Sequence, residues 1–99
     1  NFNHFDLRPD KGGLWENFLV SERLKLLRYN QRRARMYFWR TTRQQEIDYL
    51  EEEAGKLRAF EFKWKPLKSV RFPLSFRNNY EAEYELIHSE NFRKFLIES

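Results

Sequence analysis

The sequence predicts a layered α/β or α+β domain, and three observations lead there. Its 99 residues suit one domain, near the common size of roughly 100 to 150. Ten Phe, five Tyr and three Trp can fill a compact core although 34% of the chain is charged, so the charge reads as surface and not as disorder. The third observation is the order of periodic segments: a helix, three strands, a short helix, a strand and a last helix.

The first helix is expected from about Leu14 to Tyr29, after a loop with Pro9, Gly12 and Gly13. At about 100° per residue, Leu14, Phe18, Trp15, Leu26 and Leu19 share one arc and Val20, Leu24 and Leu27 a second, which predicts burial on two sides. Glu16 sits beside the second arc, and Glu22 falls inside the first. Met36 to Arg40 is apolar on both faces and reads as a central strand. Ile47 to Glu51 and Leu57 to Trp64 are the next two strands, joined by a turn around Gly55. Pro66 and Pro73 bound an irregular connection, with one or two helical turns over 73–79. Glu83 to His88 is the fourth strand. Ser89 is positioned to cap a last helix that holds Phe92, Phe95 and Leu96.

Composition removes several functions. Without cysteine neither a disulfide framework nor a thiolate zinc site can form, which is compatible with the reducing cytoplasm where the chain is expected to work. The longest apolar run is Met36-Tyr37-Phe38-Trp39, far below the roughly 20 residues of a membrane span. The chain opens on Asn1 with an extended polar lead-in, and a fragment of a longer polypeptide is expected. Residues 1–50 hold ten basic and six acidic residues against nine of each in 51–99. Arg32, Arg33, Arg35 and Arg40, within a row free of acids, could meet nucleic-acid phosphates. The same residues could equally end a helix and line a loop.

The stretch EIDYLEEEAGKLRAFEFK, residues 46–63, carries the main chemical clue. In a hairpin with a symmetric turn at Ala54 and Gly55, paired positions sum to 109. Asp48 then faces Glu61 and Glu46 faces Lys63. The four share one side, with Ile47, Tyr49, Phe60 and Phe62 on the other. Two carboxylates directly opposite each other repel unless a cation sits between them. Mg²⁺ or Mn²⁺ is the natural occupant, and a lysine beside it could orient water or meet a phosphate. The other reading is a solvated sheet face on which Glu46 pairs with Lys63.

An acid followed some thirteen residues later by Glu-x-Lys, after a helix with a glutamate, resembles the core of the PD-(D/E)XK nuclease superfamily. That resemblance implies a restriction-endonuclease-like αβββαβ core, a central mixed sheet flanked by helices and a Mg²⁺ site. Glu16 would be the helix acid, Asp48 the strand acid, and Glu61 and Lys63 the Glu-x-Lys pair, with Asp48 and Glu61 as metal ligands. The blocks GGLWENFLVSERLK, YFWRTTRQQEIDYLE, AFEFKW and ELIHSENFRKFL resemble a C-terminal domain of unknown function that follows the ATPase module of prokaryotic AAA-type ATPases. This implies a partner module in the same polypeptide, and the chain has no GxxxxGK[ST] phosphate loop of its own. Two functions follow as expectations: a Mg²⁺-dependent nuclease-like domain binding nucleic acid, or a non-catalytic module docking the ATPase to itself or to another protein.

Overall fold

The computed structural model describes residues 2–4 and 13–97; Pro9 and Gly12, read above as part of a loop, lie outside the described residues. Eight elements follow in chain order: β1 (Phe2–His4), α1 (Leu14–Tyr29), β2 (Arg35–Arg40), β3 (Glu46–Glu53), β4 (Lys56–Phe62), α2 (Leu74–Arg77), β5 (Glu83–Ile87) and α3 (Phe92–Ile97). The strands form one five-stranded sheet in the order β1-β2-β3-β4-β5. The first four alternate in direction, and β5 runs parallel to β4. This is a mixed α+β fold. Among the described residues no helix is long and apolar enough to cross a membrane.

The two sheet faces bury different layers. On one, Tyr49, Phe60 and Phe62 pack with Leu19 and Val20 of α1 and Phe95 of α3. On the other, Trp39, Ile47, Leu50 and Ala59 are covered by Phe72 and Phe76 from the β4–β5 crossover that contains α2. The crossover is forced, because parallel neighbours cannot be joined by a tight turn. Pro73 precedes α2 as its N-cap. The β3–β4 turn is built from Ala54 and Gly55, with φ of 54° and 79°, the left-handed conformation that a two-residue hairpin turn requires.

Several expectations are corrected. Phe2–His4 pairs with β2 as a fifth strand; three residues are too short to show a period, and only the long-range partner makes them a strand. β4 ends at Phe62 rather than Trp64, and α3 begins at Phe92, so Ser89 is too far upstream to be its cap. Helix α1 is buried on one side only. Its buried residues are Leu19, Val20, Arg23 and Leu27, while Leu14 is 92% and Phe18 48% exposed. An arginine occupies the middle of the buried arc.

Candidate functional site

The β3–β4 ladder has the expected register, from Glu53↔Lys56 to Tyr49↔Phe60. It stops there, so the expected face-to-face pairs Asp48/Glu61 and Glu46/Lys63 fall beyond it. The reason lies on the other side of β3. Leu50 pairs with Tyr37 but Ile47 with Trp39, so three steps along β3 match two along β2, and Asp48 and Tyr49 together oppose Phe38. Such a bulge bends the strand and reverses its alternation. Ile47 therefore joins Leu50 and Ala59 under the crossover rather than Tyr49, Phe60 and Phe62, correcting the expected division of faces.

The bulge also divides the acids. Asp48 stands beside Tyr49 on the α1 side of the sheet, where the charges of Glu46 and Glu16 reach it. Glu61 lies between Phe60 and Phe62 on the regular part of β4, so alternation turns it toward the crossover side with Ala59. There Lys63 lies 3.7 Å from it. Partial burial raises the Asp48 carboxyl above the usual range, with Glu46 and Glu16 adding to the rise and Arg40 and Lys63 opposing it. Glu61 is raised for the same first reason, with Lys63 opposing and Asp48 and Glu46 adding. All four predicted residues share one end of the hairpin, but not one face.

Glu16 has an occupation of its own. A Cβ built on Gly13, the N-cap of α1, would collide with the Glu16 carboxylate, so this third-position acid folds back over the helix start, where the helix dipole favours negative charge. Glu22 pairs with Lys25 at 2.9 Å on the exposed side and takes no part. Mg²⁺ prefers oxygen ligands in near-octahedral arrangement. Asp48 and Glu61 are of the right chemical type, yet they leave the sheet on opposite sides, and among the described residues no three acidic or histidine side chains are gathered to hold an ion.

The most structured charge in the molecule was missed by the sequence reading. Arg23 is 0% and Glu51 1% exposed. The Arg23 guanidinium donates from Nε to Glu51 Oε2 at 2.6 Å and from Nη2 to Oε1 at 2.8 Å. Its Nη1 donates to the Phe95 carbonyl at 2.8 Å, and the Tyr49 hydroxyl donates to Glu51 Oε2 at 2.6 Å. One planar cation thus fastens α1, β3 and α3 together, 4.8 Å above the Phe95 ring. Burial, then the Glu51 charge, pushes the Tyr49 hydroxyl well above its ordinary pKa. The available signal was angular: Arg23 falls in the gap between the two apolar arcs of α1, which is the middle of the face that a single sheet would cover.

The basic row is partly used up internally. Arg32 donates through Nε to Glu53 at 3.0 Å, which raises the arginine and lowers the carboxyl. Arg40 meets Glu46 at 3.1 Å. Arg33 and Arg35 stay exposed, and β2 separates them from Arg40.

The fold is thus a small mixed α+β domain whose central charges are largely structural. A family model described as a domain of unknown function, DUF4143, matches residues 11–97, and the chain belongs to that family. No curated protein and no solved structure matches it.

Proposed function

We propose that this domain is a non-catalytic docking module of an AAA-type ATPase, built on a nuclease-like αβββαβ frame. The frame is supported by the sequence α1, three antiparallel strands, α2 and a parallel strand. The ATPase context is supported by the four sequence blocks together with the family match. Division of Asp48 from Glu61 by the bulge speaks against the nuclease reading, since a shared cation needs both carboxylates on one side.

The observation that carries the docking reading is one exposed tryptophan backed by two half-buried aromatics. Trp64, 62% exposed, meets Trp15 edge-on at 5.2 Å, and Trp15 meets Phe92 at 6.2 Å. An exposed tryptophan held in place by half-buried aromatics marks an interaction surface, where Trp is enriched among the residues that dominate affinity. Titrating the chain against the separately produced ATPase module by isothermal titration calorimetry, which reads wild type and variants alike, tests this. The expected result is saturable binding, weakened at least tenfold in Trp64→Ala, with Mg²⁺ and Mn²⁺ neither shifting the melting temperature nor producing cleavage of DNA or RNA. Metal-dependent cleavage that is lost in Asp48→Asn would return the chain to the nuclease reading.

A further inference from the structure

The two edges of the sheet differ. β1 is only three residues long, and a short edge offers little to a stray strand. β5 has five residues, EYELI, with exposed Glu83 and Glu85, pairs with β4 without a register break, and carries neither lysine, proline nor bulge among the devices that guard an edge. Among the described residues nothing pairs with its outer side.

The free backbone groups can be assigned. The Ile87 carbonyl accepts from the Lys63 amide of the segment that continues β4, so Glu85 and Ile87 face β4, and the alternate residues Tyr84 and Leu86 face outward. The Leu86 carbonyl accepts from the Asn91 side-chain amide at 2.8 Å, and the His88 amide donates to Asn91 Oδ1 at 2.7 Å. Asn91 therefore imitates a neighbouring strand at the downstream end. Upstream of it, the outward groups of Tyr84 and the Leu86 amide have no partner among the described residues. A groove of about 610 Å³ runs along this edge, between Leu67 and Lys68 on one side and Lys94 and Phe95 of α3 on the other. Its one carboxylate, Glu85, is occupied by Arg58 at 3.2 Å. Lys68 and Lys94 make no ion pair among the described residues.

We propose that the β5 edge takes an extended, acidic segment of a partner protein as a sixth strand. Backbone pairing at Tyr84 and Leu86 supplies the register, an apolar side chain of the incoming strand rests on the exposed Leu67, and carboxylates on its two faces meet Lys68 and Lys94. Asn91 closes the far end of the site. This inference rests on the docking reading and names the chemistry of its partner.

The test is a selection of random dodecapeptides displayed on phage against the intact chain, followed by solution binding of the enriched peptides. Enriched peptides should carry Asp or Glu on both faces of the strand, at odd and even positions, together with an apolar residue. On binding, the Tyr84 and Leu86 amides should gain protection from hydrogen exchange, whereas Glu85 and Ile87 are already protected. Affinity should drop at least a hundredfold, about tenfold for each of the two lost ion pairs, in Lys68→Glu/Lys94→Glu. Both positions are exposed, and an unchanged circular dichroism spectrum would show that the variant folds. No enrichment, peptides without acidic bias, or protection that spares Tyr84 and Leu86 would overturn the proposal. Binding of the ATPase module with β5 amides unmoved removes the strand-addition proposal but leaves the docking module standing; failure of the module to bind removes the docking reading itself.

Discussion

The β3–β4 hairpin carries two charged groups at its two ends, and they are built on opposite terms. Toward the turn, Glu51 is sealed inside with Arg23 and Tyr49, and every bond is short and directed. Toward the open end, Asp48 and Glu61 keep raised pKa values, meet mixed signs of charge, and have one loose contact of 3.7 Å from Lys63 to Glu61. Burial explains the contrast. A buried charge without a partner costs several kcal/mol, so the enclosed cluster had to be completed. Half-open acids can share their field with water and need not be. Acidic residues in strands are therefore weak evidence of a site until their faces are known.

The largest expected effect breaks the enclosed end. Arg23→Ala leaves buried Glu51 with only the long 3.9 Å contact to Arg58 as its ion pair and should cost about 3–5 kcal/mol, read by urea denaturation; Glu51→Ala should cost a similar amount. Arg23→Met combined with Glu51→Leu should cost less than either alanine variant, because no orphaned charge remains. A double variant less stable than each single one would show that the pair contributes net attraction beyond mutual neutralisation.

Next in size is an alkaline effect. The Tyr49 hydroxyl is held above its ordinary pKa, so the folded chain keeps a proton that the unfolded chain releases near pH 10. Stability is complete below that value and should fall as pH rises beyond it, by about 1.4 kcal/mol per unit for a single group. Tyr49→Phe should flatten the slope between pH 10 and 11 in urea melts while lowering stability at pH 7, through the lost bond to Glu51.

The comparison also shows what a sequence can disclose. The hairpin register was legible because a two-residue turn with Gly55 fixes it locally, and Tyr49↔Phe60 obeys it. The bulge at Asp48 and Tyr49 was not, since it arises against β2 and needs knowledge of a second neighbour. A hairpin considered alone therefore places Ile47 and Asp48 on the wrong faces. Arg23 was passed over because arginine on a helix is ordinarily exposed, and its buried carboxylate lies 28 residues away. Glu16 turns back over Gly13, which depends on how the helix begins, and residue spacing does not carry that information.

The smallest expected effect belongs to the open end and has the opposite sign. Folded-state pKa values above the unfolded ones mean that Asp48 and Glu61 favour the folded state most when protonated, below about pH 4, and that this contribution fades as pH rises through their raised values. Glu53, held low by Arg32, works the other way: its contribution is present above about pH 4.3 and is lost on further acidification. The first effect sets in at higher pH than the second, so mild acidification should raise the melting temperature slightly before acid unfolding begins. Asp48 remains exposed to water, which keeps the change below about 1 kcal/mol. Asp48→Asn should flatten this rise and match or slightly exceed the wild type at pH 7, because one of several like charges is gone. The Asn variant should keep that ranking in millimolar Mg²⁺ or Mn²⁺. A reversal on adding metal, seen in differential scanning calorimetry, would mean that the ion binds the folded wild type through Asp48, and that the two faces of the hairpin are less separate than the bulge makes them.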